Sequence, residues 1–223
     1  MFIKAILCDL DGTLVDSNEQ HITVWDEVFR AEGVTVNREA IHSQIGKGAD
    51  MLVPALLPHT DAAVVERLAN AHGVRFKERY LGRIRPFLGA RDFLLTARDA
   101  GQVVVWASSA SASDLNHYLD LLEARDLVSA TTSADEVEHS KPAPDIFAAA
   151  LAKVAPITPD QVIAIGDTPY DVIAAAQCGI ATIALRSGGF SDEALRAAGA
   201  VGVYDDIAAL HANYADSLLG HRG

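Results

Sequence analysis

The chain has 223 residues, of which 50% are hydrophobic and 22% are charged. This composition is typical of a globular protein, and the length suits one moderate domain with an insertion. The formal net charge of −12, without a basic stripe along the sequence, argues against binding to nucleic acid and to anionic membranes. No hydrophobic run reaches transmembrane length, and no signal peptide is recognisable.

The two cysteines, Cys8 and Cys178, lie in apolar or helical contexts. We expect both to be reduced core residues rather than partners in a disulfide. Because unpaired thiols are typical of a reducing compartment, this cysteine usage predicts a cytoplasmic protein.

The first charged motif follows an apolar run at the N-terminus. Residues 3–8 are predicted to form a short buried strand, and Asp9-Leu10-Asp11-Gly12-Thr13 comes directly after it. Two buried carboxylates so close together would repel each other unless a cation balances them. A hard divalent cation such as Mg²⁺ tolerates this density of negative charge. An Asx-type turn that closes the strand is the simpler alternative.

Residues 16–80 carry no strand pattern and are predicted to be helical. Helices are expected at residues 21–32, 40–44, 50–57 and 61–72. The breaks between them fall at Gly33, at Gly46-Lys47-Gly48 and at Pro58. A helical insertion is therefore expected directly after the first motif.

A second motif closes the β-branched run at residues 103–107, where Ser108 and Ser109 follow the predicted strand. Residues 111–123 are predicted to form a helix, with Ser113 as its N-cap. Hydroxyl and backbone N–H groups at a junction between a strand and a helix form a ready anion site. A plain N-cap serine is the alternative.

A third motif places Lys141 in a loop stiffened by Pro142 and Pro144, before a helix predicted at residues 145–154. A lysine held in this way can neutralise a phosphoryl group or keep a carboxylate charged. The alternative is an exposed lysine in a loop that leads into a helix.

The fourth motif follows the apolar strand predicted at residues 162–166. Asp167 lies at the strand tip, Pro169 opens the next helix, and Asp171 follows one helical turn after Asp167. Both carboxylates can therefore face one cavity. Either aspartate alone could simply favour the positive end of the helix dipole.

Strands predicted near residues 102–107, 127–131, 161–165, 180–185 and 200–204 alternate with helices. Such alternation predicts an α/β fold, with a parallel sheet wrapped by helices and a ligand site beyond the carboxyl ends of the strands. The candidate residues of the four motifs lie at such ends or in the loops beside them.

The four motifs, in their order and spacing, resemble those of the haloacid dehalogenase superfamily. The residues that carry the resemblance are Asp9-Leu10-Asp11-Gly12-Thr13, Ser108, Lys141 and Gly166-Asp167 with Asp171. The resemblance implies a Rossmann-like core, residues 1–15 and 83–223, with an inserted helical cap, residues 16–82. This cap resembles that of the branch with phosphoglycolate phosphatases and β-phosphoglucomutases.

The resemblance also implies a phosphoaspartyl mechanism for the hydrolysis of phosphate esters. Asp9 would be the nucleophile, and Asp11 would protonate the leaving group and then deprotonate water. Ser108 would hydrogen-bond a phosphate oxygen, and Lys141 would balance the charge of Asp9 and the phosphoryl group.

The implied cofactor is Mg²⁺, bound by the carboxylates of Asp9 and Asp167 and by the backbone carbonyl of Asp11. Asp171 would orient Lys141 or a metal-bound water. The implied partner is a small phosphorylated metabolite, and the protein is expected to be a monomer or a homodimer.

Three further residues are predicted to contact the substrate. Ser109 follows the motif serine, Lys47 lies between two glycines of the cap, and His21 lies on the first cap helix. A solvated loop lysine and a partly buried core histidine are the alternatives for Lys47 and His21. The substrate itself stays open among phosphoglycolate, sugar phosphates and nucleotide monophosphates.

Two other functions compete with hydrolysis. A sugar-phosphate mutase usually has an arginine where this chain has Ala49, and Glu-Asp where it has Gly166-Asp167. Both departures favour a phosphatase. A non-catalytic binding or regulatory member of the fold is the other alternative, and the intact set of motifs argues against it.

Overall fold

Six parallel strands form the centre of the computed structural model, which describes residues 2–220. Two further strands form a separate antiparallel pair. In chain order the strands are β1 (Ala5–Cys8), β2 (Val15–Asp16), β3 (Arg85–Pro86), β4 (Val103–Ala107), β5 (Ala130–Thr132), β6 (Val162–Gly166), β7 (Ala181–Leu185) and β8 (Gly202–Tyr204). The order in the large sheet is β5-β4-β1-β6-β7-β8, so that β1 lies between β4 and β6.

The central strands are apolar throughout because both faces of the sheet are buried. Along β1, Ile6 and Cys8 pack into the core on one face, whereas Ala5 and Leu7 pack into the core on the other. This period of two is the strand periodicity. The predicted parallel sheet is confirmed.

Ten helices surround and extend this sheet within the described residues. They are α1 (Asn18–Ala31), α2 (Arg38–His42), α3 (Ala49–Leu56), α4 (Ala62–Arg79), α5 (Ala90–Asp99), α6 (Ala112–Leu121), α7 (Asp145–Ala152), α8 (Pro169–Gln177), α9 (Asp192–Ala197) and α10 (Ile207–Ala212). Helices α7 and α8 cover one face of the central strands, and α5, α6 and α10 cover the other.

Helices α1 to α4 form the insertion, which we call the cap. The chain enters it through β2 and leaves it through β3, and these two strands pair antiparallel, with Val15 opposite Pro86 and Asp16 opposite Arg85. The inserted helical cap is confirmed. Its predicted limits at residues 16 and 82 stay a prediction.

Three local predictions were wrong. Helix α4 continues through Gly73 to Arg79, because Phe76 extends its buried face. Ser111, not Ser113, caps α6, since its hydroxyl accepts a hydrogen bond from the backbone N–H of Asp114. Strand β5 begins three residues later than predicted, because a turn ends at Leu127, whose N–H donates to a backbone carbonyl.

Both cysteines are unpaired: Cys8 is buried in β1, and Cys178 is partly buried after α8. The prediction of free thiols is confirmed. None of the helices formed by the described residues has the length and apolar character needed to span a bilayer.

Candidate active site

Three neighbouring strands bring the predicted site residues to one edge of the sheet. Asp9, Ser108 and Asp167 follow β1, β4 and β6, and all three side chains are buried. The N–H of Asp9 donates to the carbonyl of Ile165, and the N–H of Ser108 donates to that of Thr132. The sheet's hydrogen bonding therefore extends into the site and holds these residues in place.

Lys141 lies between two carboxylates. Its Nζ is 2.7 Å from Oδ1 of Asp9 and 2.7 Å from Oδ1 of Asp171, and its side chain is fully buried. Burial acts to lower the pKa of Lys141, but the charges of Asp171 and Asp9 raise it above its ordinary value. Burial raises the pKa of Asp9 to about 7, against the opposing effect of Lys141. Lys141 is therefore held as a cation next to Asp9.

Asp171 has two structural roles. Its Oδ1 contacts Lys141, and its Oδ2 accepts hydrogen bonds from the N–H and hydroxyl of Thr168, the N-cap of α8. A Cβ at Gly166 would lie 2.4 Å from the carboxyl carbon of Asp171. The carboxyl thus occupies the space that a side chain at position 166 would need.

Asp167 is enclosed by donors and glycines. Thr13 Oγ1 donates to its Oδ1 at 2.9 Å, and Asn18 Nδ2 donates to its Oδ2 at 2.8 Å. A Cβ at Gly12 would lie 2.1 Å from its Oδ2, and one at Gly188 would lie 2.3 Å from the same atom. Burial and the charges of Asp171 and Asp9 raise the pKa of Asp167 well above its ordinary value. Because its charged neighbours Asp9 and Asp171 are both acidic, the ionised form of the Asp167 carboxyl group is disfavoured.

One carboxylate oxygen from each of Asp9, Asp167 and Asp171 lies within 4.8 Å of the other two. Lys141 supplies one positive charge to these three buried acids, so a further cation is needed for all of them to be ionised. Oxygen ligands of this kind suit a hard divalent cation. The donor set therefore fits a metal ion, which Asp9 and Asp167 would hold while Lys141 engages Asp171.

The Asp11 carboxylate is separate from this cluster. Its Oδ1 accepts hydrogen bonds from Ser17 Oγ at 2.6 Å and Tyr118 OH at 3.2 Å, and it lies 3.3 Å from Nε2 of His21. Burial acts to raise the pKa of Asp11, but these hydrogen bonds and the charge of His21 lower it below its ordinary value. The metal contact predicted for Asp11 uses its backbone carbonyl and does not involve this carboxylate.

Four rings of α1 and α4 stack beside Asp11, and we call them the aromatic wall: His21, Trp25, His72 and Phe76. The centroids of His21 and Phe76 are 4.0 Å apart, and those of Trp25 and His72 are 4.3 Å apart. His72 Nε2 lies 3.3 Å from His21 Nδ1. The other rings of the aromatic wall therefore orient His21 toward Asp11.

A cavity of about 540 Å³ lies between the cap and the strand ends. Asp9, His21, Lys47 and Ser109 line it. The hydroxyl of Ser109 is buried and has no hydrogen-bond partner among residues 2–220, whereas Ser108 Oγ accepts from a backbone N–H. Ser109 thus has a free hydroxyl next to the cavity.

Lys47 lines the cavity and is held by two neighbours. Its Nζ donates to Gln44 Oε1 at 2.5 Å and lies 4.4 Å from the ring centroid of Tyr170. Burial lowers its pKa. The predicted contact between Lys47 and substrate stays a prediction, as does that of His21.

Ser140, which precedes Lys141, joins the cap to the core. Its hydroxyl accepts a hydrogen bond from the N–H of Gly48 at 2.9 Å, and its own N–H donates to Asp50 Oδ2 at 3.0 Å. Gly48 is the N-cap of α3, and Asp50 lies in its first turn. This pair of hydrogen bonds links the position of the cap to the loop that holds Lys141.

Four side chains that shape the site were not predicted: Ser17, Asn18, His72 and Tyr118. Ser17 and Asn18 lie so soon after Asp11 that their closeness to the first motif is a usable signal. His72 and Tyr118 come from α4 and α6, far along the chain from Asp11. No local pattern marks them, since only the tertiary packing of α4 in the cap and of α6 on the sheet brings them there.

Residues 3–179 match the sequence profile of the haloacid dehalogenase-like hydrolases. This match covers most of the chain and includes all four motifs. The chain belongs to this family.

Two curated relatives and one solved structure illustrate the similarity. The chain is 26% identical to N-acetylmuramic acid 6-phosphate phosphatase of Pseudomonas aeruginosa over 84% of each protein. It is 26% identical to phosphoglycolate phosphatase of Rhodospirillum rubrum, over 93% of this chain and 89% of that protein. A hydrolase from Pseudomonas syringae superposes with a TM-score of 0.88 at 30% identity, over 96% of this chain and 98% of that one.

Proposed function

We propose that this protein is a Mg²⁺-dependent phosphatase that hydrolyses a small-molecule phosphate monoester through an aspartyl-phosphate on Asp9. The observation that carries the proposal is the buried Asp9, paired with Lys141 and opening on the same cavity as Asp11. The net reaction is ester plus water to alcohol plus inorganic phosphate. The two relatives described above, both phosphatases by name, support the same reaction class.

In the first step an oxygen of Asp9 attacks phosphorus, and the bond from phosphorus to the leaving oxygen breaks. The leaving oxygen takes a proton from the carboxyl group of Asp11, and Asp11 regains that proton from water in the second step. The Lys141 ammonium favours the charged, nucleophilic form of Asp9 and reduces repulsion from the phosphoryl oxygens. Ser108 and the free hydroxyl of Ser109 lie at the strand end where those oxygens would bind.

In the second step Asp11 takes a proton from water, whose oxygen attacks phosphorus while the bond to Asp9 breaks. Inorganic phosphate leaves and Asp9 is restored. The hydrogen bonds from Ser17, His21 and Tyr118 favour the carboxylate form of Asp11. That form is the one a general base needs.

The carboxylates of Asp9 and Asp167, with the backbone carbonyl of Asp11, would hold Mg²⁺. The bound ion would supply positive charge beside the phosphoryl oxygens and beside the crowded carboxylates. Thr13 and Asn18 orient Asp167, and the small residues Gly12 and Gly188 leave the room that its carboxylate needs.

Sugar-phosphate mutation is the second candidate, and the residues at two positions favour hydrolysis over it. Ala49 begins α3 without a cation for a second phosphate. Gly166 is packed so closely against Asp171 that a glutamate there would overlap it. A mutase would convert a phosphosugar into its isomer without releasing phosphate.

The test is phosphate release from p-nitrophenyl phosphate with and without Mg²⁺, for the wild type and for Asp9→Asn. We expect release that requires Mg²⁺ and disappears in the variant, because amide nitrogen and oxygen cannot replace the nucleophilic carboxylate. Circular dichroism checks that the variant folds. Release that survives in Asp9→Asn would overturn the mechanism, and a folded wild type without turnover of any ester would favour the non-catalytic alternative.

A further inference from the structure

The two oxygens of the Asp11 carboxyl group have different surroundings. Oδ1 accepts hydrogen bonds from Ser17 Oγ at 2.6 Å and from Tyr118 OH at 3.2 Å, and Nε2 of His21 lies 3.3 Å from the same oxygen. Within residues 2–220 no hydrogen-bond donor is found for Oδ2. The Asp11 side chain is 21% exposed and lines the cavity. Oδ2 is therefore the oxygen that a ligand can reach.

This asymmetry favours one of the two oxygens as the site of a proton. A neutral carboxyl group has one O–H donor and one carbonyl oxygen that accepts hydrogen bonds. A proton on Oδ1 would point at groups that themselves donate, so at least one of their hydrogen bonds would be lost. A proton on Oδ2 leaves all of them intact. The donors around Oδ1 therefore place the proton of Asp11 on the cavity side of the group.

Tyr118 differs from the other two neighbours of Oδ1 in its place in the fold. Ser17 is the N-cap of α1 and His21 lies on α1, so both belong to the start of the cap. Tyr118 lies on α6, which packs against the sheet. Of these three residues, Tyr118 is thus the one that connects the Asp11 carboxyl group to the core.

The packing of Tyr118 fixes the direction of its hydroxyl. The side chain is fully buried, and Leu115 and Leu122, about one turn before and after it, are buried in the same hydrophobic cluster. The hydroxyl of a buried tyrosine usually needs a hydrogen-bond partner. In the described part of the chain, the partner of the Tyr118 hydroxyl is Oδ1 of Asp11.

We propose that Tyr118 is a positioning residue for proton transfer. Its hydroxyl, together with that of Ser17, holds Oδ1 of Asp11, so that Oδ2 gives the proton to the leaving oxygen and takes one back from water. This inference rests on the proposed phosphatase function and adds the atom at which both proton transfers occur. Tyr118 keeps its own proton throughout and acts on the reaction through Asp11.

The test compares three esters whose leaving groups are single aromatic rings: p-nitrophenyl phosphate, phenyl phosphate and benzyl phosphate. Their leaving groups become less acidic in this order, so their departure depends increasingly on a proton from the enzyme. The value of kcat/KM reports the steps up to release of the alcohol, which include this proton transfer but exclude the later attack of water.

In Tyr118→Phe we expect kcat/KM to fall by less than about 2-fold for p-nitrophenyl phosphate and by about 10-fold for benzyl phosphate, with phenyl phosphate between them. The reason is that p-nitrophenolate leaves without a proton, whereas the benzyl alkoxide needs one from a well-placed Oδ2. If benzyl phosphate reacts too slowly to measure, the ratio between the other two esters decides.

Ser17→Ala is a second variant, because it removes another donor to the same oxygen. It should give the same order of losses, and it tests the proposal if circular dichroism shows that Tyr118→Phe does not fold. Tyr214→Phe is the matched control, because Tyr214 is also buried but its hydroxyl donates to Gln102 instead of to a residue of the site. The control should leave all three values unchanged.

An equal loss of kcat/KM for the three esters in Tyr118→Phe would indicate a structural role and overturn the proposal, as would the absence of any loss. Failure of the phosphatase function would give a different result, since the wild type would then release no phosphate from any of the esters. Release from p-nitrophenyl phosphate that requires Asp9, together with equal losses in Tyr118→Phe, would overturn the role of Tyr118 alone.

Discussion

The two sides of the cavity are built in different ways. On the core side, Asp9, Asp167 and Lys141 lie within or directly after the sequence motifs, and all are buried. On the cap side, the aromatic wall joins His21 and Trp25 of α1 to His72 and Phe76 of α4, and no motif connects these two helices. The core side therefore carries the charged groups proposed for catalysis, and the cap side carries rings that shape the cavity.

This difference indicates where changes are tolerated. The core side contains buried charged side chains that pair with one another, so the removal of one leaves its partner buried without a counter-charge. The cap side consists of ring contacts and single hydrogen bonds, each of which contributes a modest free energy. We therefore expect core-side changes to abolish activity and cap-side changes to alter substrate preference and affinity.

Lys141→Met should have the largest effect. It leaves Asp9 and Asp171 without their common cation, which should lower the free energy of unfolding by about 3–5 kcal/mol. It should also lower kcat by about 10²–10³-fold. Urea unfolding and phosphate release measure the two effects. Lys153→Met, which removes a more exposed pair with Glu136, should cost about 0.2–1 kcal/mol. An equal loss in the free energy of unfolding for both variants would contradict the expectation that the buried ion pairs of the core side matter most.

Gly12→Ala tests how tightly Asp167 is enclosed. Gly12 has φ of 77°, and its added Cβ would lie 2.1 Å from Asp167 Oδ2. We expect a loss of about 1–2 kcal/mol from the backbone and about 1–3 kcal/mol from the overlap, with activity abolished. Gly33→Ala is the matched control, because Gly33 has φ of 75° and nothing within 4 Å of the added carbon. In the control, the free energy of unfolding should fall only by the roughly 1–2 kcal/mol that the backbone conformation costs, and activity should remain.

His72 should make stability depend on pH. Because burial lowers its pKa in the folded state well below 6.5, the unfolded state binds more protons as the pH falls below about 6.5. The contribution of His72 to the free energy of unfolding should therefore decrease by up to about 1.4 kcal/mol per pH unit in that range and stay level above it. Asp9 and Asp167, whose pKa values are raised in the folded state, contribute a slope of the opposite sign, so the effect of His72 is measured as the difference between the wild type and His72→Gln. His72→Gln should remove the contribution of His72. His139→Gln, at an exposed histidine, should keep it.

Ser140→Ala should have the smallest effect. It removes the acceptor of the Gly48 N–H but leaves the Ser140 N–H bonded to Asp50. We expect a loss of about 0.5–1.5 kcal/mol in the free energy of unfolding. The KM should rise several-fold with little change in kcat, because the cap is held less firmly over the cavity. A large fall in kcat with an unchanged KM would show instead that Ser140 acts through Lys141.

Much of the core side was predictable because its residues follow strands that are recognisable from their own sequence. The apolar runs that end at Asp9, Ser108 and Asp167 are predicted strands, and parallel strands must end at one edge of a sheet. Lys141 was also predictable as a site residue, from its proline-rich loop and its match to the third family motif. Its contact with both Asp9 and Asp171 was not, because that contact depends on how this loop packs between two strand ends.

The sequence by itself determined the α/β sheet, the helical insertion and the four motifs, since these depend on local periodicity and on short stretches of chain. Only the tertiary structure decided that Tyr118 and His21 both reach Asp11, and that His72 stacks behind His21. These contacts join residues up to 107 positions apart. The contacts of His21 and His72 form because the cap packs over the strand ends, and that of Tyr118 forms because α6 packs against the sheet. No pattern within one helix records which partner it will meet.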